Sequence, residues 1–211
     1  MPVDWVMRII SALGVGAGVV SGVMEARRKR MDLVGAVAVA FLTALGGGTL
    51  RDLLLGHTPV FWIRDENYAY LTLALTPVVF YSTRLLRLSV RSIIVPDALG
   101  LGAFTVMGVE AGLADGTSMF IASLMGVITG VFGGVLRDVI CNEVPLLFKK
   151  DIYLYATCSL LGAWVYILAT KLGWLHTLAL PLAVAFVFIL RLLAVRFNIS
   201  LPEPRTPLSE R

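Results

Sequence analysis

The chain has 211 residues and a mass of 22.8 kDa; 58% of it is apolar, only 15% is charged, and the mean hydropathy is +0.86. That balance excludes an ordinary soluble domain and describes an integral membrane protein. Eighteen Lys and Arg against fourteen Asp and Glu leave a net charge of +4, but the basic residues cluster between apolar stretches instead of lining one face, which excludes a nucleic-acid footprint.

A hydrocarbon core takes roughly 20 helical residues. Seven stretches reach or approach that length, at about 5–24, 32–54, 67–86, 96–114, 117–140, 152–170 and 173–195. Four of them contain long runs with no Asp, Glu, Lys or Arg, within 67–83, 116–136, 152–170 and 172–190. The first is Gly-rich and ends in Arg27, Arg28, Lys29 and Arg30 instead of a small-residue cleavage site, so it reads as a retained helix and not a signal peptide. Pro77 and Pro181 are expected to kink the third and seventh spans. The tail 198–211, with Pro202, Pro204 and Pro207, reads as disordered and cytoplasmic.

Basic loops are held on the cytoplasmic side during insertion. Thirteen Lys and Arg fall on one side, in the groups Arg27 to Arg30, Arg84 to Arg91, Lys149 and Lys150, and Arg191 to Arg211; the other side has Arg8, Arg64 and Lys171. An odd number of spans with this bias places the N-terminus outside and the C-terminus in the cytoplasm.

Sliding the sequence by 86 positions lays Gly47, Gly48, Leu50, Arg51 and Asp52 onto Gly133, Gly134, Leu136, Arg137 and Asp138, with 15 identities in the 52 positions from 14 to 65. The chain thus divides into a three-helix repeat at 1–88, a second at 89–171, a seventh helix at 172–197 and the tail. Three spans per copy force the second copy to enter from the opposite side, an inverted-topology repeat of the kind that recurs in transport proteins. A duplication that merely supplies a six-helix bundle is the plain alternative.

Gly46, Gly47 and Gly48 in span 2 and Gly133 and Gly134 in span 5 each cost about 1 kcal/mol relative to alanine in a helix. They expose nearby carbonyls, which lipid tolerates only against protein or water. Two readings follow, a kinked helix lining a hydrated path and a close helix–helix contact. Arg51 and Arg137 lie eight or nine residues past the centres of their spans, roughly 12–14 Å at 1.5 Å per residue, which puts Arg51 near the outer mouth and Arg137 near the inner one. Successive helical residues point about 100° apart, so each arginine is expected to pair with bared carbonyls, a neighbouring helix or lipid phosphate, not with its adjacent Asp52 or Asp138. They either plug and release a path or snorkel to the interface as anchors.

Glu110 is the acid read as lying well inside a span. His57 and His176 read as solvated, and Trp5, Trp62, Trp174, Tyr68 and Tyr153 as an interfacial aromatic belt. Cys141 and Cys158 have no metal-ligand or disulfide spacing and read as free, buried thiols. No catalytic triad, metal-ligand set, Walker motif or dinucleotide fingerprint is present, so neither an enzyme nor a cofactor is expected. Arg27, Arg28, Lys29 and Arg30 form a candidate patch for anionic lipid.

The segments GGGTLRD at 46–52 and FGGVLRD at 132–138, in a three-plus-three-plus-one plan, resemble the prokaryotic trimeric intracellular cation channel family over about residues 5–195. The resemblance implies a homotrimer with one pore per protomer, passing monovalent cations, chiefly K+ and Na+, in a prokaryotic plasma membrane. It implies a pore bordered by kinked second and fifth helices at Gly46, Gly47, Gly48 and Arg51 and at Gly133, Gly134 and Arg137. Phe132 stands where the first copy has Gly46. Related bacterial sequences also point to glycine uptake, so a secondary transporter of a small solute is the alternative, and a non-transporting scaffold is a third reading.

Overall fold

The computed structural model describes residues 2–82, 90–148, 154–173 and 176–199. Arg84, Arg87, Lys149, Lys150, Tyr153, Trp174 and the tail from residue 200 onward lie outside these. The described chain is all-helical: α1 (Pro2–Arg28), α2 (Leu33–Leu55), α3 (Phe61–Arg64), α4 (Asn67–Ser82), α5 (Val90–Ala114), α6 (Met119–Ile140), a 3-10 turn at Leu146–Phe148, α7 (Tyr155–Lys171) and α8 (His176–Arg196). Seven of these overlie the seven stretches read from hydropathy, and α3 is a single unanticipated turn. Five of them, in α1, α2, α5, α6 and α8, are long and apolar enough to cross a membrane. Helix α5 begins six residues before the expected start at 96 and takes Pro96 and Asp97 inside it.

Local chemistry sets the helix ends. Asp32 caps α2 by accepting from the Gly35 amide at 2.8 Å, and Ser118 caps α6 by accepting from that of Ile121. Each satisfies an amide that has no partner within its own helix. Helix α2 stops at Gly56, whose left-handed φ of 74° returns its amide to the carbonyls of Asp52 and Leu53.

Helices pack here through small residues, because hydrocarbon provides no hydrophobic drive between them. In α1, Gly18 and Gly22 lie against Ala44 and Ala40 of α2, while Gly14 meets Ala103 and Phe104 of α5. Side chains such as Trp5, Leu54, Val78, Phe120 and Ile140 are exposed on the outside. That much exposed apolar surface suits a bilayer and not water.

The closest approach of a glycine to another helix's backbone is between α2 and α6. A methyl group at Gly47 would fall on the Thr129 carbonyl oxygen, and one at Gly133 would fall on the Thr43 carbonyl oxygen. The two contacts exchange under the 86-residue offset, since 43 and 129, like 47 and 133, are that far apart. Because 43 meets 133 and 47 meets 129, the helices run in opposite senses, and Arg51 and Arg137 lie on opposite sides of the crossing. Both helices stay α-helical through their glycines, which bring backbone onto backbone.

Gly47→Ala and Gly133→Ala are therefore expected to lower stability by about 1–3 kcal/mol, as overpacking does where the obstacle is backbone. Gly46→Ala meets only the Leu136 methyl tip, which can turn aside, so it should be near neutral. Thermal unfolding of the three variants in detergent checks the order.

Candidate functional site

The α2 side of the crossing ends in Arg51 and Asp52, 7% and 2% exposed. Arg51 donates through Nε and Nη2 to Asp52 Oδ1 at 2.8 and 2.7 Å. This corrects the sequence expectation that the arginine would pair elsewhere: the Cα–Cβ directions do diverge, but the arginine side chain is long enough to fold back across that angle. Asp52 Oδ2 accepts from the Phe61 amide at 2.6 Å, so the same carboxylate anchors α3. The Arg51 guanidinium lies 5.6 Å from the Phe61 ring centroid, a cation–π contact. That ring also covers Gly48, where a Cβ would strike it. Trp62 Nε1 donates to Thr49 Oγ1 at 3.0 Å and pins α3 from its other flank.

The α6 side is richer. Arg137, 1% exposed, donates through Nε to Asp138 Oδ1 at 2.8 Å and through Nη1 to Asp97 Oδ1 at 2.7 Å and Ser21 Oγ at 2.5 Å. Asp138 Oδ2 accepts from the Leu146 amide at 2.8 Å, the counterpart of the Asp52–Phe61 bond. The Tyr155 hydroxyl and Asp97 Oδ1 both border Gly134, and the Arg191 guanidinium lies 4.7 Å from the Tyr155 ring centroid. Arg51 with Asp52 is formally neutral, whereas Arg137 with Asp97 and Asp138 carries one negative charge (1 − 2 = −1).

Asp97, Ser21, Tyr155 and Arg191 were not singled out from the sequence. Asp97 is the second residue of the stretch read at 96–114 and was given no role there. Arg191 was counted among the loop cations, yet it is 2% exposed within α8, flanked by apolar residues on both sides in sequence. An ionisable residue inside an apolar run is itself a signal of function, and it was the available one for both.

Beside the crossing, at the Arg137 end, is a cavity of about 20 Å³ whose lining includes Ser21, Thr43, Asp97, Gly133, Gly134 and Tyr155. That is room for about one water molecule. Gly47 closes the crossing beside it, and Gly46 opens instead onto an apolar surface groove of about 280 Å³ with Phe132 and Leu136. The structure thus brings Gly133 and Gly134 to one small chamber, with Arg137 bonded to Ser21 and Asp97 of its lining, and places Gly46, Gly47, Gly48, Arg51, Asp52 and Asp138 outside that lining.

The four expected lipid-patch residues are mostly taken up by protein. Arg27 donates to the Phe80 carbonyl at 2.8 Å; Arg28 bonds Glu25 and Glu143; and Lys29 reaches Glu143 at 2.6 Å. Arg30 is exposed at the turn. Among the other residues singled out, His57 pairs with Asp115 at 2.9 Å, Glu110 accepts from the Tyr166 hydroxyl at 2.5 Å, and Cys141 and Cys158 are free and buried.

Two outcomes follow from these pairs. Arg137→Ala strands two buried carboxylates and is expected to cost about 3–5 kcal/mol, whereas Arg137→Met combined with Asp97→Asn should cost much less; chemical denaturation in detergent separates them. In the loop after α6, Lys29 and Arg28 hold the Glu143 carboxyl down at about 2, from an ordinary 4.5. A depressed folded value means the stabilisation is complete above about 4.5 and lost as pH falls toward 2. The small melting-temperature deficit of Glu143→Gln at pH 7 should therefore vanish across that interval.

Comparison with known proteins agrees with this architecture. The sequence-family model described as "Glycine transporter" matches residues 8–84 and 94–171. An UPF0126 membrane protein of Vibrio cholerae is 40% identical over 197 residues, 92% of this chain and 81% of its own. The inner membrane protein YadS of Escherichia coli K12 is 36% identical over 202 residues, 92% of this chain and 93% of its own. Among solved structures, the trimeric intracellular cation channel orthologue from Rhodobacter sphaeroides superposes with a TM-score of 0.86 at 34% identity, covering 92% of this chain and 99% of its own. A helical membrane protein with a polar chamber at a glycine crossing is the class that this fold defines. The chain belongs to the trimeric intracellular cation channel family.

Proposed function

We propose that the protein is a passive channel for monovalent cations, K+ and Na+, working as a homotrimer with one pore in each protomer. The observation that carries this reading is the small chamber beside the α2/α6 crossing, lined by Ser21, Thr43 and Asp97, where Arg137 bonds Asp97 and Ser21, with the buried Arg51–Asp52 pair on the other side of the crossing. The 34% identity to the Rhodobacter sphaeroides cation channel supports the choice of cations and the trimer. In this reading all seven long helices span, the two three-helix halves are inverted repeats, and the exchange of carbonyl-on-glycine contacts at offset 86 is their pseudo-two-fold.

The chamber admits about one water, so the described conformation is closed. Opening withdraws Arg51 and Arg137 from their carboxylates and widens the crossing, which the glycines permit because no side chain has to move between the two backbones. The reading is one of conduction and not catalysis. It places the protein in the bacterial inner membrane, in keeping with the Escherichia coli relative, with the N-terminus outside and the C-terminus in the cytoplasm. Lipid headgroups on the cytoplasmic side meet Arg30, the cluster residue facing solvent.

The match to the glycine transporter model favours a second reading, uptake of a small amino acid through the same chamber. Planar-bilayer recording of the purified protein in asymmetric KCl decides between them. Discrete currents reversing near the K+ equilibrium potential, with open probability changed by Arg51→Gln or Arg137→Gln in variants that still elute as trimers, support the channel. Silence together with saturable glycine uptake into liposomes overturns it.

A further inference from the structure

We propose that Asp97 is the residue that makes the path selective for cations, and that Arg137 in the closed state is a tethered cation occupying the place a permeant ion takes when the path opens. This rests on the channel reading above and adds a residue and a role to it.

Two arginines beside a conduction path would by themselves favour anions, so a carboxylate free to serve the ion must lie on the path. Asp52 and Asp138 are poorly suited. Each has one oxygen on its own arginine and the other on a loop amide, of Phe61 and of Leu146 respectively. Handing either to a passing ion would unfasten the loop that follows its helix. Asp97 differs on three counts. Among the described residues it is the only formally charged one lining the chamber; it is held by a side chain, that of Arg137; and it is 7% exposed, against 2% for Asp52 and 4% for Asp138.

Burial supplies the force. A carboxylate that keeps its charge away from water needs a cation or a full set of donors. While Arg137 is in place, its Nη1 lies between Asp97 Oδ1 and Ser21 Oγ at 2.7 and 2.5 Å. When Arg137 leaves, those two oxygens are left facing the chamber, and a small monovalent cation restores the balance where an anion would worsen it. Fixed carboxylates select cations in this way in other pores. Tyr155 lines the chamber beside Asp97, and a methyl group on Gly134 would press on its hydroxyl at 3.1 Å.

The arrangement is also one-sided. The position 86 residues before Asp97 is Ser11, and among the described residues the ion pair at Arg51 is with Asp52 alone. Selectivity then resides at the Arg137 end alone, and the Arg51 end acts only as a barrier.

The test is reversal-potential measurement in asymmetric KCl for the wild type, Asp97→Asn and Asp97→Glu, each shown to elute as an intact trimer. The K+/Cl− permeability ratio of Asp97→Asn is expected to fall by about tenfold or more, while Asp97→Glu keeps it. An unchanged ratio in a conducting Asp97→Asn overturns the assignment. Should Asp97→Asn fail to assemble, the wild type itself decides: replacing N-methylglucamine by K+ at constant ionic strength should raise the open probability, because K+ competes with Arg137 for Asp97. A flat response overturns the tethered-cation role. Absence of wild-type current in every salt would instead be the failure of the channel reading.

Discussion

Backbone contact between two antiparallel helices governs the rest of this molecule. At the α2/α6 crossing the carbonyl oxygens of Thr43 and Thr129 occupy the space where Gly133 and Gly47 would carry a Cβ. No other residue type permits that approach without moving a helix. Because the contact is reciprocal, the downstream ends of the two helices are carried to opposite sides, and each ends in an arginine and an aspartate. The glycines thus act mainly by closeness. Their local looseness matters only if the crossing is to open.

Charge is then distributed around that crossing under the cost of burial. Both arginine–aspartate pairs are adjacent in sequence and nearly inaccessible, yet they are not equivalent. The first is complete as a neutral pair with an aromatic ring over its cation. The second borrows Asp97 from α5 and Ser21 from α1. One end of the path is therefore tied to two other helices, the other to a single short turn. Helix α8 does not line the chamber but touches its wall through the Arg191 contact with the Tyr155 ring.

Each aspartate has two jobs. Its inner oxygen holds the arginine and its other oxygen receives the amide that begins the next short helical turn. A movement of either arginine is thus mechanically linked to the loop beyond it, and the loops after α2 and α6 are where Phe61 and Glu143 make their contacts. The basic residues at the end of α1 meet Glu143 by the same logic, joining the α1–α2 turn to the loop after α6.

Hydropathy and the 86-residue repeat were enough to read a helical membrane protein, the seven helical stretches and the Gly-Gly-x-Leu-Arg-Asp elements on α2 and α6, because apolar periods and exact short repeats are properties of the chain itself. Family membership was legible for the same reason. The partners of Arg51 and Arg137 were not, since a side chain's reach and neighbours depend on which helices meet at its depth. Asp97 and Ser21 are 40 and 116 residues from Arg137 in sequence and have no spacing that announces the contact. Arg191 read as a flank because hydropathy weighs a residue by its neighbours in sequence, whereas its burial is set by α7 packing against α8. The sequence alone determined which helices exist and where their charges lie along the chain; only the tertiary structure decided which charges face one another, because that depends on helix crossings made by backbone contacts far apart in sequence.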